Sequence, residues 1–295
     1  LNVQALMLKK KIQGMENLPT LSASVTHILR LLGDENVNAS KLHEALNRDP
    51  SICADMLKVT NSALFGLRQR VTSVEQATAL LGLRAVRNIV WSASVVSVIS
   101  GREKDVWLHS YSCAMLMHSV IRSSNLQVAD DMEVTALIHD IGRIVVMDFS
   151  ELSNRVINDV AQRDLLPIHL AERQVLSASH DTIADWLLEL WNMSPSVRIP
   201  VSLHHQETIP DQYLLETALL QLVDYVDLRA RGVPASPPPP PLLEAAGIDR
   251  AIIPELVAYQ EAQVAQVDGN SFLAGTADAH GSRPPSLAVR APQRR

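Results

Sequence analysis

The chain is poor in several things that would define other protein classes. It has two cysteines in 295 residues, Cys53 and Cys113, too few for a disulfide framework. Both sit in apolar helical stretches and are expected as buried thiols of a reducing compartment. Aromatic residues make up 4% of the chain, and strand-like alternation of apolar and polar residues is scarce, which argues against a β-sandwich or barrel. No apolar run reaches the roughly 18 residues of a membrane span. The longest candidate, Ile89 to Ile99, is shorter and carries serines. No lysine–arginine block is present and the net charge is -6, so the sequence offers no nucleic-acid surface. Leu1-Asn2-Val3-Gln4 lacks the basic start of a secretory signal. A cytoplasmic location is expected, and the opening on Leu1 is expected if a segment precedes it.

What remains is an ordinary globular composition, 47% hydrophobic and 20% charged, with leucine, alanine and valine at helical spacing. Thr20 and Ser22 can start a helix carrying Val25, Ile28, Leu29 and Leu32 on one face. Asn38 or Ser40 can start the next, with Leu42, Ala45 and Leu46 as its stripe. Asp49-Pro50 puts proline at a helix start, where its missing N–H costs nothing. Asn61 to Gly66 reads as a turn, Ser73 as the start of another helix, and Gly82 as its interruption. Gly101 to Lys104 is a polar break. The expectation is an all-α protein, a helical bundle of two lobes, without internal repeats.

The expected organisation is an N-terminal extension at 1–14, a helical lobe at 15–100, and a second lobe at 105–232. An extended proline-rich linker at 233–241, a short helical segment at 242–267 interrupted by Pro254, and a disordered tail at 268–295 follow.

The second lobe collects imidazoles and carboxylates, the side chains that hold divalent iron, manganese or zinc. They are His109, the adjacent pair His139-Asp140, His180, the adjacent pair His204-His205, and Asp224. His139-Asp140 lies in an otherwise apolar helix end, Thr135 to Arg143, and a buried ionised carboxylate is costly unless paired or metal-bound. Gly142 is expected to let the chain turn there. Asp105, one turn before His109, could add a carboxylate on the same face. His27, His43 and His169 lack any ligand company and are expected as surface or otherwise satisfied histidines. Trp91, Trp186 and Trp191 are expected in the core.

The dispersed His…His-Asp…Asp series resembles the HD superfamily of metal-dependent phosphohydrolases. Val106-Trp107-Leu108-His109-Ser110 looks like its opening motif, and Asp224, in Leu219 to Tyr225, like its closing carboxylate. The N-terminal half resembles the HDOD branch: Leu18-Pro19, Asp49-Pro50, Asn61-Ser62 with Phe65-Gly66, and Ala77 with Leu81-Gly82. The resemblance covers about residues 15 to 230. It implies that His109, His139, Asp140 and Asp224 hold one metal and that His180, His204 and His205 hold a second. The related HD-GYP phosphodiesterases continue past the paired histidines with Glu and a Gly-Tyr-Pro loop. This chain has Gln206-Glu207-Thr208-Ile209-Pro210 instead, and Arg143 where those enzymes carry lysine. The resemblance therefore implies a bacterial signal-transduction module that keeps a divalent-metal site. Its partners would be regulatory proteins or a fused sensor domain, with no nucleic acid or membrane, and it could form a homo-oligomer. The alternative is a working metal-dependent phosphohydrolase acting on a phosphodiester or nucleotide, with His139, Asp140 and Arg143 in the chemistry.

Overall fold

The computed structural model describes residues 3–15, 21–32, 37, 39–61, 69–99, 104–124, 126–129, 131–265 and 285–287. These are almost wholly helical, fifteen α-helices joined by short turns and 3-10 segments, and no strand occurs among them. They divide into two compact units, one taking Thr20–Lys104 and the other Leu1–Pro19 together with Asp105–Val264.

The N-terminal helix α1 is Val3–Gln13. The unit that follows it contains α2 (Ala23–Leu32), α3 (Ala39–Asn47), α4 (Pro50–Thr60) and α5 (Val74–Ile99). The starts of α2, α4 and α5 are capped as the local sequence dictates. The Ser22 hydroxyl accepts from the Val25 N–H at 3.1 Å, and the Asp49 carboxylate accepts from the Ile52 N–H at 3.1 Å with Pro50 behind it. Ser73 accepts from the Gln76 N–H at 3.1 Å, while the Gln76 side chain reaches back to the Thr72 N–H at 2.9 Å. Val25, Ile28 and Leu32 are buried with Leu42, Leu46 and Met56. Gly82 breaks α5 internally with φ 79° and ψ 168°, a conformation that only glycine adopts without strain. Asn61 ends α4, and the rest of the expected turn, residues 62–66, lies outside the described residues.

The second unit joins α1 to α6 (Lys104–Ser124), α7 (Met132–Ile138), α8 (Ile141–Phe149), α9 (Glu151–Asp164), α10 (Ile168–Leu176) and α11 (His180–Leu190), followed by α12 (Pro195–Leu203), α13 (Leu214–Ala230), α14 (Pro240–Ala245) and α15 (Ile253–Val264). Helix α8 packs closely on α11, α12 on both α11 and α7, and α13 on α15. Helix α1 packs on α10, where Gln4 accepts from the Ser177 hydroxyl at 2.8 Å. Its Lys9 pairs with Glu189 at 2.9 Å and lies 5.8 Å above the Trp186 ring. The segment expected as an extension is thus built into the unit.

Three expectations about the C-terminal part change. Pro240 and Pro241 are not extended but form the first turn of α14, where a missing N–H leaves no bond unmade. Pro254 sits in the first turn of α15 rather than interrupting it, for the same reason. Within the tail, residues 285–287 are ordered against α6. The Ser123 hydroxyl donates to the Pro285 carbonyl at 2.8 Å, the Leu287 N–H donates to Ser124 at 2.7 Å, and Leu287 is buried. The rest of the tail from 268 lies outside the described residues. Among the described residues no helix is long and apolar enough to cross a membrane.

Candidate metal centre

The seven predicted side chains converge in the second unit. His109 projects from α6 and Asp224 from α13. The other five stand at helix ends: His139 closes α7, Asp140 opens α8, His180 opens α11, and His204 with His205 follows the end of α12. Asp140 makes no cap bond to its own helix, so its carboxylate is available to the histidines. Its Oδ1 lies 3.1 Å from His180 Nε2, 3.7 Å from His139 Nε2 and 4.0 Å from His204 Nε2, and its Oδ2 lies 3.9 Å from His109 Nε2. Asp224 Oδ1 is 3.2 Å from His109 Nε2 and 3.7 Å from His139 Nε2. All of these are buried except His205, which is half-buried.

Gly142 makes this convergence possible, by a route other than the one expected. It lies within α8 and turns nothing. A Cβ there would collide with the backbone carbonyl of His180 and stand 2.8 Å from the Ala184 nitrogen. Only a bare Cα lets α8 approach the start of α11 closely enough to bring Asp140 to His180.

The imidazoles are oriented by what their Nδ1 atoms touch. Nδ1–H of His139 donates to the Ala136 carbonyl at 2.8 Å and that of His204 to the Val201 carbonyl at 2.6 Å. Carbonyls only accept, so each ring holds its proton at Nδ1 and turns a bare Nε2 lone pair inward. His109 Nδ1 meets Asp227 at 2.8 Å and His180 Nδ1 meets Glu172 at 2.6 Å, the same orientation enforced by carboxylates. The result is two Nε2-to-Nε2 contacts, His109 to His139 at 3.2 Å and His180 to His205 at 2.9 Å. Two lone pairs cannot bond each other, so the His109–His139 contact calls for a cation or a proton between the rings, whereas in the His180–His205 contact the His205 ring can itself carry the proton. His204 Nε2 is buried with no hydrogen-bond partner. The donors fall into groups whose atoms lie within 4.8 Å of one another: His180, His204 and His205; His139, Asp140 and His204; and His109, Cys113 and His139. This donor set fits a divalent metal, and the Nδ1 partners are the outer contacts that metal-binding histidines use.

Charge is distributed accordingly. Burial opposes a charge on His109, but hydrogen bonds to Asp224 and Asp227 hold its pKa well above the ordinary value. Burial pushes Cys113 to about 12, so it stays a neutral thiol and the carboxylates are the partners that keep the proton on His109. Burial likewise opposes charge on His180, and Glu172 and Asp140 raise it well above the ordinary value. Burial and neighbouring imidazoles lower His204 to about 4 and hold His205 well below the ordinary value. Asp140 and Asp224, despite burial, are held well below the usual carboxylate range by these histidines. Positive charge at His109 and at His180 is thus favoured by the carboxylates beside them, the same charge that a metal cation would supply.

Several participants were not expected. His169 is not an isolated histidine but stacks on His205 with centroids 4.0 Å apart and planes 14° apart. Asp105 is exposed, and the additional carboxylate comes from Asp227, one turn beyond Asp224. That spacing was a readable signal, as was Cys113 four residues after His109 on α6; Glu172 had none. Asp181 is fully buried and accepts from Ser179, from Gln206 at 3.0 Å and from Arg173 at 3.4 Å. Arg143 lies 3.6 Å from Asp140. His43, by contrast, is satisfied by Thr78 at 3.2 Å.

The HDOD domain pattern matches residues 18–207. An uncharacterized protein of Treponema pallidum (strain Nichols) is 23% identical over 205 residues, 68% of this chain and 40% of that protein. The chain thus spans less than half the length of that relative. A Shewanella amazonensis SB2B protein provisionally called a phosphohydrolase superposes with a TM-score of 0.67 at 18% identity, covering 92% of this chain and 97% of its own. A Marinobacter aquaeolei VT8 protein provisionally called a signal transduction protein gives 0.66 at 17%, covering 93% and 66%. An HDOD domain protein of unknown function from Geobacter sulfurreducens gives 0.66 at 19%, covering 92% and 94%. At these identities the likeness establishes the fold alone. With its family pattern spanning more than half of the residues on that all-helical fold, the chain belongs to the HDOD domain family.

Proposed function

We propose that this chain is a regulatory signal-transduction module whose second unit holds divalent metal, iron, manganese or zinc, among the seven residues of the centre. The observation that carries the reading is the set of buried Nε2 atoms of His109, His139, His180 and His204, each left bare by an acceptor on the opposite ring nitrogen. Bound metal would supply the positive charge that ties together the ends of α7, α8, α11 and α12 and the faces of α6 and α13. Enclosure favours a regulatory role over turnover. His139, His180 and His204 are at most 2% exposed, leaving little room for a phosphoester to reach them. Gln206, in the stretch where a substrate loop would follow, is engaged with buried Asp181. The reading takes the protein as cytoplasmic, with regulatory proteins or a fused sensor as partners. The greater length of the Treponema relative is consistent with such a module inside a larger protein.

One observation favours a second reading, a metal-dependent phosphohydrolase. Asp140 stands between both histidine groups, as a carboxylate shared by two metals would, and Arg143 beside it could clamp a phosphate. Metal analysis of anaerobically purified protein, with a bis-p-nitrophenyl phosphate assay, separates the two. Stoichiometric metal without turnover is the expected result. Turnover abolished by Asp140→Ala would replace the regulatory reading with the hydrolytic one.

A further inference from the structure

Helix α15 lies beyond the segment matched by the family pattern, yet it reaches the hydrogen-bond shell of the metal centre. The link is Asp227, fully buried on α13. Its Oδ2 accepts from His109 Nδ1 at 2.8 Å and from Arg231 Nε at 2.6 Å. Its Oδ1 accepts from the Gln260 side-chain amide of α15 at 2.6 Å. A carboxylate only accepts, so the amide nitrogen of Gln260 must face it. Arg231 also donates to the Leu108 carbonyl at 3.2 Å and to Ser112 at 2.7 Å, tying the end of α13 to the turn of α6 that carries His109.

The two oxygens are held differently. His109 and Arg231 share Oδ2, and a carboxylate held at one oxygen can still rotate about it. The described contact that engages Oδ1 is Gln260, itself 2% exposed. We propose that Gln260 is a positioning residue for the metal centre: by fixing the Asp227 carboxylate it fixes the His109 ring with Nε2 toward the metal, so that docking of α15 sets metal affinity. This rests on the reading of His109 as a metal ligand. Outer partners of this kind change metal affinity by about 10- to 100-fold when removed.

The test measures zinc affinity of the full chain by chelator competition for wild type, Gln260→Met, Asp227→Ala and the double variant, with His109→Ala alongside. Methionine keeps the volume and removes the donor. Gln260→Met is expected to weaken zinc about 10-fold, Asp227→Ala at least as much. The double variant is expected to match Asp227→Ala alone, because Gln260 acts through that carboxylate. A merely structural Gln260 would lower thermal stability while leaving zinc affinity at the wild-type value, and that result overturns the proposal. So does an undiminished Gln260→Met effect in the Asp227→Ala background. Wild-type zinc affinity in His109→Ala would instead overturn the ligand reading beneath it. Should Gln260→Met fail to fold, Gln260→Asn keeps the amide but shortens its reach, and unchanged zinc affinity there overturns the proposal equally.

Discussion

The α-carbon of Gly142 faces the backbone carbonyl of His180 with no space for a methyl group between them. The obstacle is backbone on both sides, so it cannot be relieved by a rotamer change. Gly142→Ala is expected to destabilise the protein by about 3 kcal/mol or more, although alanine favours a helix by about 1 kcal/mol over glycine. Urea unfolding measures it. A variant as stable as wild type would mean that α8 and α11 do not approach as described.

Asp140 touches both histidine groups, whereas Asp224 touches His109 and His139. Asp140→Ala is therefore expected to strip all metal from the protein. Asp224→Ala should spare metal held by His180, His204 and His205. Elemental analysis of the two purified variants distinguishes them, and equal metal content in both would contradict a shared carboxylate.

Metal-free protein should lose stability on acidification between about pH 6.5 and pH 4. Burial first, then neighbouring charge, lowers His169 and His204 to about 4, so in that window the unfolded chain takes up protons that the folded chain does not. The sign is opposite for His109 and His180, whose raised pKa values contribute stability below about 6.5 that is lost as pH rises through their folded values. Metal binding should expel the proton from each of these two histidines. Calorimetric titration at neutral pH in two buffers of different ionisation enthalpy reads that release. Identical heats in both buffers would rule it out.

In the other unit Asn61 bonds three ways. Its amide donates to the Leu57 carbonyl at 2.7 Å and the Val71 carbonyl at 2.8 Å, and its oxygen accepts from the Val71 N–H at 2.8 Å. Asn61→Ala should cost about 1–3 kcal/mol by leaving buried backbone groups at Val71 unpaired. Asn61→Asp should also be destabilising, because a carboxylate cannot donate to either carbonyl. A thermal melt of either variant that overlays wild type would show these bonds to be dispensable.

Much of this protein is written locally. Ser22, Asp49-Pro50 and Ser73 start helices because caps act within one turn, and Val25, Ile28 and Leu32 are buried because they recur at the helical period. The candidate ligands were legible by residue type, and Asp227 could have been found from its spacing to Asp224. What a sequence cannot carry is which helix faces meet. Glu172 orients His180, His169 stacks on His205, and Gln260 reaches Asp227 from 33 residues away. These pairings depend on the crossing of separate helices, and no local periodicity encodes them. The sequence by itself determined the helices, their caps and the kinds of donor available. The tertiary structure alone decided that the donors share one buried space, because that follows from the close approach of α8 to α11 and from carboxylates delivered by helices distant along the chain.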